Sequence, residues 1–136
     1  MNKDDLFRIS LKAIIYDQAG KLLVVKEKGH HLWGLPGGGM DHGETYHEAL
    51  ARELKEEVGY EGDFREQLYD YREPKQLMSR DPIIWQTSLL FYVETTNDQF
   101  HVGVDAEEIG FVDYETVTKT PEQYYPMISE LLSNSR

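Results

Sequence analysis

Residues 37–60 read GGGMDHGETYHEALARELKEEVGY, a glycine-rich turn that leads directly into an acidic segment. Thr45 is a residue type that favours the N-cap position, and Glu48 follows three residues later, as a capping box requires. Gly59 stands where a residue in the left-handed conformation commonly ends a helix. The stretch therefore predicts a helix that begins after Thr45 and ends before Gly59.

Three glutamates of this helix are predicted to share one face. At about 100° per residue, Glu53, Glu56 and Glu57 fall within an arc of roughly 100°. The adjacent stripe is apolar and suited to packing on a core; it consists of Leu50, Ala51, Leu54 and Val58. Carboxylates that converge beside a glycine turn suit a hard cation, Mg²⁺ or else Mn²⁺. An arbitrary glutamate cluster is more often a solvated surface, so the cluster alone does not decide between the two.

The spacing of the motif is specific enough to decide. It resembles the signature of the Nudix hydrolase superfamily, G-x5-E-x7-R-E-U-x-E-E-x-G-U, in which U is a bulky aliphatic residue. All seven fixed positions match, and they are Gly38, Glu44, Arg52, Glu53, Glu56, Glu57 and Gly59. A chance match has a probability of about 10⁻⁸ per starting position at average residue usage. The one departure is Tyr60 at the final aliphatic position, where we expect it to change only the packing behind the helix.

The resemblance implies an α/β fold, a Nudix-type α/β/α sandwich with a mixed central sheet, in a single domain over residues 1–136. Hydrophobic patterns predict strands over residues 7–16, 21–26, 60–72, 82–95 and 109–112. We expect the first two to pair across a turn at 17–20, and Pro74 to end the third strand before a loop at 75–81. A closing helix follows Pro121, and its regular part is predicted to begin at Pro126.

Composition limits the classes of partner. The chain has 14 basic and 25 acidic residues among 136, a net charge of −11, which argues against binding a nucleic acid polymer. A small nucleotide held by metal ions fits this charge better. There are no cysteines, hence no disulfide or zinc–thiolate site. Neither a signal peptide nor a membrane-spanning stretch is evident, which favours a cytoplasmic protein without a membrane partner.

The resemblance also implies a reaction and its residues. Family members hydrolyse a nucleoside diphosphate linked to another moiety, and a divalent cation assists the attack of water on phosphorus. Glu53, Glu56 and Glu57 correspond to the metal ligands, with the backbone carbonyl of Gly38 as a further oxygen. Glu53 and Glu57, together with Arg52, form the expected catalytic set.

Residues around this set have supporting or open roles. Arg52 is suited to hold a carboxylate in one orientation, and Glu44 is expected to support it from behind, although a plain salt bridge between the two is an alternative. The general base is either a glutamate of the motif or an acid of a later segment. The acids of that segment are Glu94, Asp98, Asp105, Glu107 and Glu108.

Substrate contacts are expected outside the motif. We select Arg8, Lys26 and Arg80 as phosphate contacts and Tyr71 as a stacking group. Nucleoside triphosphates, ADP-ribose and nucleotide sugars all remain candidate substrates. Pro74, fifteen residues after Gly59, is similar to a feature of ADP-ribose-cleaving members.

Two other functions compete with hydrolysis. A non-catalytic nucleotide-sensing module on the same fold is the main alternative, but loss of motif glutamates would be its sign and every one is present. An isomerase of isoprenoid diphosphates would rely on a reactive cysteine, and the chain has none. A homodimer is compatible with the resemblance, since many relatives dimerise.

Overall fold

The computed structural model describes residues 6–77 and 83–134. In chain order the elements are β1 (Phe7–Ile14), β2 (Leu22–Glu27), β3 (Gly37–Gly39), α1 (Tyr46–Val58), β4 (Phe64–Leu77), β5 (Ile84–Thr95), β6 (Ala106–Val112), α2 (Tyr114–Lys119), a 3₁₀ turn (Pro121–Gln123) and α3 (Pro126–Asn134). The helix predicted after Thr45 is present, and α3 begins at Pro126 as expected. None of the described helices is long and apolar enough to cross a membrane.

The strands form two sheets between helical layers. The larger sheet has the order β3-β1-β5-β4, in which β1 and β5 run parallel and the other pairs run antiparallel. The smaller sheet pairs β2 with β6 antiparallel. One core cluster includes the apolar stripe of α1, and a second includes the buried residues of α2 and α3. The predicted sandwich of helices around a mixed sheet is therefore confirmed.

The predicted hairpin between the first two strands forms only beside its turn, where the N–H of Leu23 donates to the carbonyl of Ile15 at 2.9 Å. Tyr16 forms a bridge to Leu22, but β2 then leaves β1 and pairs with β6 along its length. Residues 22–25 explain this, because they are buried on both faces: Leu23 and Val25 enter the core cluster under α1, while the alternate residues enter the other cluster. A strand buried in this way needs cover from both helical layers.

The third predicted strand, over residues 60–72, begins and ends later than expected, since β4 runs from Phe64 to Leu77. β4 continues through Pro74 to Leu77, so the predicted end at Pro74 is wrong. β4 lies at the edge of its sheet, where a proline without an N–H interrupts no ladder on the open side. The register with β5 shifts between Arg72 and Lys75, around this proline. Residues 78–81 of the predicted loop lie outside the described part of the chain.

Tyr60, the departure from the motif, is part of the core behind α1. Only 2% of its surface is exposed. Its ring stacks on Phe100 at 5.3 Å between centroids, and its hydroxyl donates to the carbonyl of Asp63. A tyrosine is accepted at this aliphatic position because its hydroxyl is hydrogen-bonded while its ring is buried.

Candidate active site

Both ends of α1 are fixed by local hydrogen bonds. Thr45 Oγ1 accepts from the backbone N–H of Glu48 at 3.1 Å, and Glu48 Oε1 accepts from the N–H of Thr45 at 2.9 Å. Gly59 has φ +62° and donates its N–H to the carbonyl of Leu54. The predicted capping box and left-handed stop are confirmed. They set the register in which the three glutamates emerge from the helix.

The glycine turn lies directly against the acidic helix. Gly37 has φ +142°, and a Cβ there would collide with the carbonyl oxygen of Leu11. A Cβ at Gly38 would lie 2.7 Å from Glu53 Oε1. Only glycine therefore lets the backbone come this close to the carboxylates.

Glu57 is the most buried acid of the site. Only 2% of it is exposed, and its Oε2 accepts from the N–H of Gly37 at 2.5 Å. Its Oε1 is buried without a hydrogen-bond partner among the described residues. Burial raises the pKa of Glu57 well above its usual range, and the facing carboxyl of Glu27 adds to this. Such an oxygen is stabilised when it acquires either a proton or a cation.

Arg52 connects the acids of the motif. Its Nε and Nη2 donate to the two carboxylate oxygens of Glu44 at 2.8 and 2.9 Å, and its Nη1 donates to Glu53 Oε1 at 2.9 Å. Nη2 also donates to the carbonyl of Gly39. The paired guanidinium lowers the pKa of Glu44 to about 2. Burial raises the pKa of Glu53, and Arg52 opposes that effect. Arg52 thus locks Glu53 against the glycine turn.

A cavity of about 470 Å³, here called the carboxylate cavity, collects these groups. Glu53, Glu56 and Glu57 all line it, as does the glycine turn. Its basic side chains are Arg8, Lys12 and Lys28. The three glutamates and the turn therefore line one cavity together with positively charged side chains, and the role of the glutamates as metal ligands stays a prediction.

A second cavity of about 460 Å³, the apolar cavity, adjoins the first. Its apolar lining includes Leu35, Met127 and the ring of Tyr125. A Cβ at Gly34 would lie 3.1 Å from that ring, so Tyr125 rests on bare backbone. Gln86 is among the residues common to both cavities. The two cavities therefore form one continuous concave surface. The lining of the second is apolar in large part but also includes charged side chains such as Arg72 and Lys75.

The substrate contacts predicted from sequence are only partly brought to this surface. Arg8 lines the carboxylate cavity. Lys26 pairs with Glu107 at 3.8 Å and is not among the described residues that line either cavity, since it alternates with Glu27 on β2. Tyr71 is 61% exposed on the edge strand β4 and also lies outside both linings. Arg80 lies outside the described residues.

Sequence reasoning missed Lys12, Lys28 and Glu27, which all line the carboxylate cavity. For Lys12 a signal was available. Arg8, Ser10 and Lys12 alternate with apolar residues along β1, so one face of the strand presents polar groups. That face is the one turned toward the cavity.

Of the five later acids considered for a general base, Asp105 lines the carboxylate cavity. Glu94 is instead paired with Arg65 at 3.2 Å, and Glu107 with Lys26. Asp98 and Glu108 are not among the described lining residues. Asp105 is therefore the acid of this segment that could reach a molecule bound in the cavity.

The loop that carries Asp105 also holds the last turn of α1. The N–H groups of His101, Gly103 and Asp105 donate to the carbonyls of Val58, Glu57 and Glu56, at 2.9, 3.0 and 2.9 Å respectively. Carbonyls at a helix C-terminus otherwise lack partners within the helix. This clasp fixes the backbone from which two of the three glutamates project.

The donor set fits a divalent cation, although the side chains are not arranged as a finished metal site. Within residues 6–77 and 83–134, no three His, Cys, Asp or Glu side chains already form a cluster that could hold a metal ion. Glu53 is turned to Arg52 and Glu57 to Gly37. The partnerless Oε1 of Glu57 nevertheless lies in an oxygen-rich cavity, the donor type that Mg²⁺ and Mn²⁺ prefer.

Comparison with known proteins identifies the family. The model of the NUDIX domain matches residues 6–131. The chain belongs to the Nudix family. The family and enzyme class expected from the sequence are confirmed, and this Nudix protein is a hydrolase acting on nucleoside diphosphate derivatives.

Individual Nudix relatives are similar over most of the chain. An ADP-ribose pyrophosphatase of Methanocaldococcus jannaschii is 31% identical over 121 residues, which cover 87% of this chain and 69% of the relative. An RNA pyrophosphohydrolase of Shewanella sediminis is 33% identical over 115 residues, covering 78% and 67%. The crystal structure of a MutT protein from Methanosarcina mazei superposes with a TM-score of 0.69 at 18% identity, covering 97% and 94%. The last comparison bears on the fold alone.

Proposed function

We propose that this Nudix domain, residues 1–136, is a Mg²⁺-dependent nucleotide pyrophosphohydrolase that also accepts Mn²⁺. One observation carries the proposal: the buried Oε1 of Glu57 has no partner among the described residues and lies in the cavity lined by Glu53 and Glu56. A carboxylate oxygen buried without a donor is costly unless a cation or a proton reaches it. One divalent cation can offset the negative charge of all three carboxylates.

Glu53, Glu56 and Glu57 would hold the cation, with the carbonyl oxygen of Gly38 as a further ligand. When bound, such an ion acts as a Lewis acid toward phosphoryl oxygens and lowers the pKa of water. Arg52 keeps Glu53 oriented through the hydrogen bonds that it also makes to Glu44. The metal ligands are therefore held in position before the substrate binds.

The basic side chains of the cavity bind the diphosphate. Arg8, Lys12 and Lys28 would contact phosphoryl oxygens in a protein whose net charge is −11. The local field in the cavity is then set by these cations and the metal rather than by the whole surface. A small nucleotide satisfies this requirement better than a long nucleic acid, which would also meet the acidic surface.

The hydrolytic step needs a carboxylate that takes a proton from water. The water oxygen bonds to phosphorus, the P–O bond of the phosphoanhydride bridge breaks, and the bridging oxygen leaves with the other phosphate. Asp105 and the glutamates of the motif are the candidates for the proton acceptor, because these acids line the cavity.

The nucleoside is assigned to the apolar cavity. Its volume of about 460 Å³ and its lining by Tyr125 and Leu35 suit a base and a sugar, while the neighbouring cavity takes the diphosphate. The named activities of the two relatives support two substrate types, ADP-ribose and RNA. We favour ADP-ribose or another small linked nucleotide because of the acidic surface.

The test is a substrate screen with Mg²⁺ or Mn²⁺. It should include nucleoside triphosphates, ADP-ribose, nucleotide sugars, dinucleoside polyphosphates and a 5′-triphosphorylated RNA oligonucleotide. We expect turnover of a small nucleotide that EDTA abolishes. Absence of turnover with every substrate, or turnover that resists EDTA, would contradict the proposal. Nucleotide binding without turnover would support the sensing module instead.

A further inference from the structure

An acid outside the glutamate-rich motif faces the buried end of the site. Glu27 is the last residue of β2, where Leu23 and Val25 point into the core cluster under α1. Side chains alternate along a strand, so Glu27 follows on the same face. It lines both cavities, and its carboxyl faces that of Glu57.

The described basic groups near this acid pair donate no hydrogen bond to Glu57 Oε1. His30 Nε2 lies 3.4 Å from Glu27 Oε2, and the imidazole is about half exposed. Lys12 Nζ donates to the carbonyl of Gly37 at 3.4 Å. Glu57, only 2% exposed, keeps one oxygen without a partner in the described part of the chain. Two facing carboxyl groups are stable side by side only when a proton or a cation lies between them.

We propose that Glu27 is a further ligand of the divalent cation and shares an ion with Glu57. This inference rests on the proposed function, because it assumes that the carboxylate cavity binds metal. Glu27 belongs to both linings, so an ion that it holds lies at the boundary between the two cavities. There it would meet the phosphoryl group nearest the nucleoside. Metal binding would thereby depend on a strand as well as on the motif helix.

Glu27→Gln tests the assignment, with metal binding as the readout. Free Mn²⁺ is followed by electron paramagnetic resonance during titration of the wild type, Glu27→Gln and a matched control, Glu107→Gln. Glu107 lies on the neighbouring strand β6, pairs with Lys26 and is not among the described lining residues. We expect Glu27→Gln to weaken at least one Mn²⁺ site about tenfold or more, and Glu107→Gln to leave binding unchanged.

Thermal unfolding separates loss of a ligand from loss of the fold. In EDTA, Glu27→Gln should melt near the wild-type temperature, because glutamine keeps the size of the side chain and its amide can still hydrogen-bond the Glu57 carboxyl. Added Mn²⁺ should then raise its melting temperature less than it raises that of the wild type. A variant that melts lower than the wild type in EDTA, with an equal response to Mn²⁺, would contradict the assignment.

Two other outcomes distinguish this inference from the proposed function. Wild-type protein that binds Mn²⁺ and turns over substrate, with equal Mn²⁺ binding by Glu27→Gln, would overturn the role of Glu27 and leave the function intact. Wild-type protein that binds no Mn²⁺ would overturn both. If His30→Ala weakens Mn²⁺ binding as much as Glu27→Gln does, Glu27 acts only through the histidine and the direct ligand role is wrong.

Discussion

The carboxylate cavity and the apolar cavity lie side by side but are built from the chain in different ways. The motif acids and the glycine turn of the first come from residues 37–57, one turn and one helix. The second combines residues of β1, β2, β4, β5 and α3, which are far apart in sequence. The difference teaches that the motif acids to which we assign metal binding are encoded in one segment, whereas the proposed nucleoside site depends on how distant segments assemble.

Glu57→Gln should have the largest effect and should act on the carboxylate cavity alone. The variant keeps the shape of the side chain but removes the charge that we assign to the metal. Lewis-acid stabilisation is worth several kcal/mol, so we expect kcat to fall roughly a thousandfold. Steady-state kinetics with Mg²⁺ measure it. Wild-type kcat in this variant would refute the metal role of Glu57.

Arg52→Lys should weaken metal binding in the same cavity, because Arg52 holds Glu53 in position. A lysine cannot donate to both oxygens of Glu44 and to Glu53 at once, as the guanidinium does. We expect kcat to fall about 10- to 100-fold, with a matching loss of Mn²⁺ affinity. If both values stay at wild-type levels, the arginine is only a surface salt bridge.

Tyr125→Ala should affect the apolar cavity and spare the other. Loss of stacking on a base is worth about 1–3 kcal/mol, so KM should rise about 5- to 150-fold while Mn²⁺ binding is unchanged. Tyr71→Ala is the matched control, since that exposed tyrosine lines neither cavity in the described part of the chain. Equal KM values for the two variants would mean that the nucleoside does not bind in the apolar cavity.

Thr45→Ala should have the smallest effect. It should affect the carboxylate cavity only by lowering the stability of α1. The variant loses the hydrogen bond from Oγ1 to the N–H of Glu48, at a cost of about 1 kcal/mol in the free energy of unfolding. Denaturant unfolding measures this cost, and Thr45→Ser should restore stability. Turnover per folded molecule should stay near wild type. A loss of turnover larger than the loss of stability would mean that the cap also positions the glutamates.

The sequence predicted the motif part of the carboxylate cavity well, because the determinants of that part are near neighbours. The capping residues, Gly59 and the arc of three glutamates depend on helix geometry within one segment. Pairing of β2 with β6 was missed because partner choice depends on burial that the two layers supply together. β3 consists of three glycines, a composition without strand propensity, and forms because β1 offers it a pairing edge.

Other features escaped prediction although a local signal existed. α2 is short, but Asp113 Oδ1 accepts from the N–H of Thr116, the spacing of a helix N-cap. The alternation along β1 could have revealed Lys12, and the same rule places Glu27 beside Leu23 and Val25. Tyr71 lies outside both linings although Arg72 and Glu73, its neighbours on β4, line the apolar cavity. Which residues of β4 turn toward the cavity depends on its pairing with β5, and that pairing is not encoded within one segment.

The clasp between residues 101–105 and the last turn of α1 has a consequence for protein engineering. A designer who grafts the motif segment onto another scaffold would transfer the acids but not the three N–H groups that cap Glu56, Glu57 and Val58. The transplanted helix would fray at its C-terminal end, where two of the acids are attached. A portable module for this chemistry must therefore include the loop before β6 as well as the helix.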